Sequence, residues 1–487
     1  MFSIKQELRG VLTEYGNTVA VFVVSLVAIP YSINAYGSKA FGDYIHVLAI
    51  LAVAILVDWG SDFYIAHSIS ADDGFKNTKI NLSIASKIVI QIFYSGMIIG
   101  VNCFTNLLQL ITIYELSLLL FGFNLNCVAA HFAAILASQR QLAQSSTVLA
   151  LSQASASGVT LILAFCKVPD GLYIGYLTGS LLGLTYSFKA LVATGYLFEK
   201  VSCWAVFLYL KNIYRYSSKI IFLRIVSIVR TNCAGIVIPA FSDATVLSTY
   251  VVITRFPNAA VVMFHKATST LRPLLIRVRS QHSQAEFTSL TLDLLSAACV
   301  GSLLLAFGIC SVNGEIAKIL SHGTTRPSLT IEMLIAFIAF RQMWVSLFGV
   351  IYLSATTNKS HPAVCLFEII ITPMIGWIVG KYYGLNGYLV VTMIVAWITD
   401  YFFSRTALDM CGLRVKDLLQ NIGVTKICYS VLVLFVALIA KECIPYKVFN
   451  LVVTFIFLIT LIYNYRVIFF RLRLYISDAK SVMNTAK

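Results

Sequence analysis

Four arginines lie inside apolar stretches of this chain: Arg224 and Arg230 in L-R-I-V-S-I-V-R, Arg255 in V-I-T-R-F-P, and Arg341 in A-F-R-Q-M. A guanidinium stays charged and donates in a planar fork, which suits phosphate or pyrophosphate oxygens taken two at a time. At membrane depth such a charge costs about 2.5–3.5 kcal/mol on insertion scales, so each needs a partner or an anion to hold. The chemistry these residues could do is reversible capture of an anionic headgroup in a cationic cavity. Arg230, Arg255 and Arg341 count to mid-depth, and Arg224 counts nearer the cytoplasm. Six residues separate Arg224 from Arg230, about 600° of helix, so the two do not share a face. The blander alternatives are pairing with a buried acid or snorkelling to an interface, and Arg224 is the most open to them.

A second set could couple a gradient. His46, Asp58 and Asp62 fall in the apolar run 44–67, and Glu115 lies near the outer end of 108–134. An intramembrane acid or imidazole can take up a proton or hold a cation, so Asp58, Glu115 and His46 are candidates for H+ or Na+ coupling. Asp58-Trp59-Gly60 reads equally as a helix end, with Asp62 at the interface. Asp293, Glu368 and Asp400 read as boundary or salt-bridge residues.

The elements that must position these groups are membrane helices. The chain is 59% hydrophobic and only 12% charged, against about 25% charged in soluble proteins. Runs of about 20 apolar residues recur at 17–36, 44–67, 82–103, 108–134, 145–167, 171–197, 218–240, 246–270, 288–312, 330–354, 362–382, 385–405, 420–441 and 446–466. This predicts an all-α integral membrane protein with about 14 transmembrane helices. With the N-terminus inside, about 25 lysines and arginines fall on the cytoplasmic side and 7 outside. That asymmetry places both termini in the cytoplasm. It also makes the net charge of +15 a matter of topology and lipid headgroups rather than of nucleic acid. The polar start Met1–Asn17 has no cleavage motif after the first apolar run, so that helix is expected to stay as an anchor. The 11 cysteines have no regular spacing and read as packing residues, not as a disulfide framework or metal site.

The sequence repeats itself weakly. Ile29-Pro30 returns as Ile238-Pro239, and Gly175-Tyr176-Leu177 as Gly387-Tyr388-Leu389, both about 210 residues on. This predicts two six-helix lobes related by pseudo-two-fold symmetry, 1–200 and 201–410, followed by two additional helices and a basic tail, 411–487. Gly175, Gly179 and Gly183, and likewise Gly376, Gly380 and Gly384, are spaced by four and suit close helix packing. Pro30, Pro239, Pro257 and Pro373 fall within helices and can bend them. There is no Walker motif, no His/Cys metal cluster and no catalytic constellation, so neither an enzyme nor a cofactor is expected.

The layout P-x-x-I-x-x-Y-G-x-x-x-F-G-x-Y from Pro30 to Tyr44, the Asp58-x-Gly60 that follows, and G-L-N-G-Y from Gly384 to Tyr388 together resemble Wzx-type polysaccharide-unit flippases. These belong to the multidrug/oligosaccharidyl-lipid/polysaccharide (MOP) exporter superfamily, whose architecture is MATE-like. The resemblance implies a multi-pass protein of the bacterial inner membrane. Its implied cargo is an undecaprenyl-pyrophosphate-linked oligosaccharide, an O-antigen repeat unit, moved by alternating access. The implied partners are membrane lipids, an O-antigen polymerase and a chain-length regulator. It also implies a cationic lumen, a role carried over to Arg230, Arg255, Arg341 and Arg224. Two rivals of different kind are a MATE-type multidrug or cation antiporter, which would favour an acidic cavity, and an O-antigen polymerase or ligase, which would need a large catalytic outer loop. A lipid II flippase is a third, although its helix-one arginines have no counterpart between Asn17 and Tyr36.

Overall fold

The computed structural model describes residues 4–54, 61–62, 64–65, 77–105, 111–139, 141–196, 199–217, 221–269, 271, 275, 278–279, 283–321, 323, 325, 327–354, 362–414, 416–417 and 420. Among them are twelve helices: α1 (Ile4–Tyr36), α2 (Ser38–Ala54), α3 (Asn77–Thr105), α4 (Ile113–Ser138), α5 (Leu142–Phe165), α6 (Gly171–Ala193), α7 (Cys203–Ser217), α8 (Ile221–Phe241), α9 (Ala244–Ser269), α10 (Gln284–Leu320), α11 (Leu329–Ser354) and α12 (Pro362–Met410). Eight helical stretches among the described residues are long and apolar enough to cross a membrane. The first twelve predicted spans map onto α1–α6 and α8–α12, with two of them continuous in α12 across a kink at Gly384 (φ 60°, ψ −148°). Apart from residue 420, the predicted spans 420–441 and 446–466 lie outside the described residues, as does the tail beyond them.

Helix α3 shows why this is a membrane protein. It turns Ile88, Val89, Ile92 and Phe93 outward and buries Asn81, Ser83, Lys87 and Gln91. A water-soluble helix does the reverse. With no water to bond in the hydrocarbon, the polar groups must satisfy one another inside. Helix α7 was not expected from the sequence. It is a short amphipathic helix with Trp204, Phe207 and Leu208 exposed and Val206, Tyr209 and Ile213 buried. Its 15 residues are too few to span, which is why an apolar-run count passes over it.

The backbone gathers into two units. One holds Met1–Val252, Leu320–Gly323 and Pro362–Val391; the other holds Ile253–Ile319, Thr324–His361 and Thr392–Lys487. Within the first unit, α2 packs directly on α8. A Cβ on Gly42 would collide with the Ala244 backbone, and one on Gly235 would meet Ala49. Gly37, at φ +88°, ends α1 in the left-handed conformation that favours glycine. The first glycine ladder is a packing seam. Gly175, Gly179 and Gly183 lie against Thr160, Ala156 and Ser152 of α5, and a Cβ on Gly179 would stand 2.5 Å from the Ala156 backbone nitrogen. In the second ladder Gly376 packs against Tyr388 and Val237 and Gly380 against the Phe241 ring, while Gly384 makes the kink.

Two prolines open gaps that distant side chains close. Pro239 in α8 has no N–H for the Gly235 carbonyl, and Pro257 in α9 has none for Ile253. His46 Nδ1 lies 2.6 Å from Gly235 O, and Asn313 Nδ2 donates to Ile253 O at 2.9 Å. Removing either donor leaves a carbonyl unmet away from water. His46→Ala and Asn313→Ala are each expected to lower stability by about 1–2 kcal/mol, read as an earlier thermal unfolding in detergent. Unchanged unfolding would show that water or a neighbour replaces the donor.

Candidate functional site

The four arginines have four different settings. In the second unit, Arg341 of α11 meets Asp400 of α12, with Nε 2.9 Å from Oδ2 and side chains only 2% and 7% exposed. A buried guanidinium that has a carboxylate beside it is compensated in place, and no solute can reach this one. The cavity role expected for Arg341 gives way to that of an enclosed strut.

Arg255 differs. It lies midway along α9, half-buried. Its Nε–H is sealed from solvent with no acceptor, and no acid pairs with it among the described residues. Neighbouring Phe256 and Ala260 pack into an apolar cluster with Cys310, Ala336 and Met343. A half-buried cation with no acid beside it is costly, so among the described residues Arg255 is the arginine with a donor left for an anion.

In the first unit, Arg230 of α8 grips Glu368 of α12. Nε donates to Oε1 at 2.7 Å and Nη2 to Oε2 at 2.6 Å. This is the fork-to-carboxylate geometry of a strong charged pair. Arg230 keeps 31% of its side chain accessible, and Glu368 only 9%. The backbone of Arg224 lies in α8, and its side chain is outside the described part. Asp58 lies outside the described residues altogether.

The other coupling candidates have visible duties. A carbonyl can only accept, so His46 must carry its proton on Nδ1 to reach Gly235 O; both the neutral and the charged ring can do so. Glu115 closes a capping box with Thr112 at the start of α4, accepting from the Thr112 N–H at 2.6 Å. That role was legible as T-x-x-E before an apolar run. Asp170, at the N-terminus of α6, has its carboxyl raised above the usual value, first by burial and then by the Glu115 carboxylate beside it.

A buried polar cluster in the same unit was missed. Asp62 Oδ1 lies 2.7 Å from His131 Nδ1 and 3.3 Å from Lys87 Nζ, and His131 Nε2 meets Ser83 Oγ. Lys87 and His131 are each 1% exposed. Lys87, counted with the cytoplasmic charges by sequence, instead pairs inside. Its place inside an apolar run, between Ile84 and Ile88, was the available signal, because a lysine there needs an acid. Ser83, His131 and Asp62 stand in the order of a nucleophile, base and orienter, but Ser83 is 2% exposed and no substrate carbonyl can approach it.

Comparison with solved structures identifies the fold. The chain is similar to the lipid II flippase MurJ in an inward closed conformation, with a TM-score of 0.68 and 13% identity over 95% of this chain and 100% of that one. It is similar to an inward-facing multidrug resistance MATE family transporter of the MOP superfamily, with a TM-score of 0.57 and 14% identity over 82% of this chain and 95% of that one. The MATE multidrug transporter DinF-BH gives a TM-score of 0.52 and 15% identity, over 82% of this chain and 94% of that one. No family model and no curated protein sequence matches the chain. At such identities the likeness shows the fold alone. This is an all-helical, multi-pass membrane protein with the MurJ and MATE fold, as the helix layout predicted.

Proposed function

We propose that this protein is a flippase for an undecaprenyl-pyrophosphate-linked oligosaccharide, an O-antigen repeat unit. It carries the headgroup from the cytoplasmic to the periplasmic leaflet of the bacterial inner membrane by alternating access. The observation that carries this reading is Arg255, half-buried midway along a membrane helix with no acid paired to it among the described residues. A fold shared with a lipid II flippase supports it. The pyrophosphate supplies the anion Arg255 lacks, the sugars travel with it, and the lipid tail stays in the bilayer. An organic cation, the cargo of the antiporter reading, would be repelled by the same residue. Arg230 and Arg224, in the first unit, are the other candidates for holding a phosphate. If H+ drives the cycle, the Asp62–His131 pair is better placed than Glu115 or His46, which are occupied in capping and in closing a proline gap. The product passes to an O-antigen polymerase and its chain-length regulator.

The test is deletion of the gene in its bacterium followed by a lipopolysaccharide gel. Loss of the O-antigen ladder, restored by a plasmid copy, is expected. An unchanged ladder refutes the proposal.

A further inference from the structure

We infer that Glu368 is an internal stand-in for the substrate's anion: its carboxylate fills the fork of Arg230 and is exchanged for a phosphate of the pyrophosphate. This rests on the proposed function in taking a pyrophosphate as the ligand.

Three observations carry it. Glu368 uses both oxygens on Nε and Nη2 at 2.7 and 2.6 Å, the edge of the guanidinium that a phosphate would take with two of its own oxygens. The pair is open on the cation's side, 31% against 9% exposed, so an arriving anion meets Arg230 before Glu368. The Arg341–Asp400 pair, at 2% and 7%, offers no such approach. Finally, α8 lacks its own hydrogen bond at Gly235, one to two turns past Arg230, because of Pro239. A helix with such a gap can bend there and let Arg230 part from its partner.

The logic is exchange rather than capture. Leaving either member of a desolvated charge pair alone is costly, whereas swapping one anion for another keeps Arg230 neutralised throughout. Without a competing carboxylate, Arg230 would hold pyrophosphate more firmly and release it more slowly. Glu368 competes for the fork and returns it to its starting state once the headgroup leaves. It is a specificity and release residue, not a structural clip.

Purified full-length protein in nanodiscs, titrated with inorganic pyrophosphate by calorimetry, tests this. Glu368→Gln removes the competing charge and is expected to tighten pyrophosphate binding roughly tenfold or more, the scale of one close charge coupling. The double variant Arg230→Gln/Glu368→Gln is expected to lose that gain. Glu368→Asp keeps the charge but shortens its reach, and is expected to tighten binding by a smaller factor; it decides the matter if Glu368→Gln does not purify folded. Unchanged or weaker binding in the folded single variant overturns the inference, as does a gain that survives in the double variant. The two readings fail separately: the lipopolysaccharide ladder reports transport of the lipid-linked substrate, and the Glu368 shift is read on pyrophosphate alone.

Discussion

Arg341→Ala is expected to destabilise the protein by about 3–5 kcal/mol, because it strands the Asp400 carboxylate in a buried site. Asp400→Ala should cost a similar amount by stranding the guanidinium. The double variant Arg341→Met/Asp400→Leu, which removes both charges and keeps the volume, should recover most of the loss. Thermal unfolding of the purified variants in detergent measures all three. The reason lies in the enclosure of the pair, at 2% and 7% exposed: neither charge can be rescued by water. Equal unfolding temperatures for the wild type and Arg341→Ala would return Arg341 to the list of headgroup ligands. A transport defect in Arg341→Ala is therefore evidence about the site only after protein level and stability have been matched.

Arg255→Gln is expected to act in the opposite way. The Nε–H has no acceptor to lose, so stability should stay the same or rise. Transport should fall, because truncating one member of a desolvated charge contact removes about 3 kcal/mol, or roughly a hundredfold in affinity. Arg255→Lys keeps the charge without the fork and should fall between the two. Complementation of a deletion strain, scored on the O-antigen ladder at matched protein level, separates these outcomes. Full rescue by Arg255→Gln would remove the residue that carries the proposed function.

Much of the architecture was legible from composition because the bilayer leaves few choices. A backbone without water must close its hydrogen bonds within each segment, so apolar runs of about 20 residues become helices. Local signals were legible for the same kind of reason. Thr112 and Glu115 meet one turn apart, Gly37 ends α1 in the left-handed region, and spacing by four lines Gly175, Gly179 and Gly183 along one face of α6. The short amphipathic α7 escaped because its periodicity is that of a surface helix while its neighbours are spans.

The site divides along the same line. Residue type and position were enough to single out Arg230, Arg255 and Arg341 as costly charges, and Pro239 and Pro257 as residues that can bend a helix. Which charge is answered and which is left open was decided only in the folded chain. Glu368 lies 138 residues from Arg230, and Gly235 lies 189 from His46. No periodicity links such positions, because the partner is chosen by how helices pack and not by spacing along one of them. The amino-acid sequence alone was enough for a membrane helix bundle with arginines at depth; the tertiary structure decided that Arg341 is enclosed with Asp400, that Arg230 is held by Glu368, and that Arg255 Nε has no acceptor among the described residues.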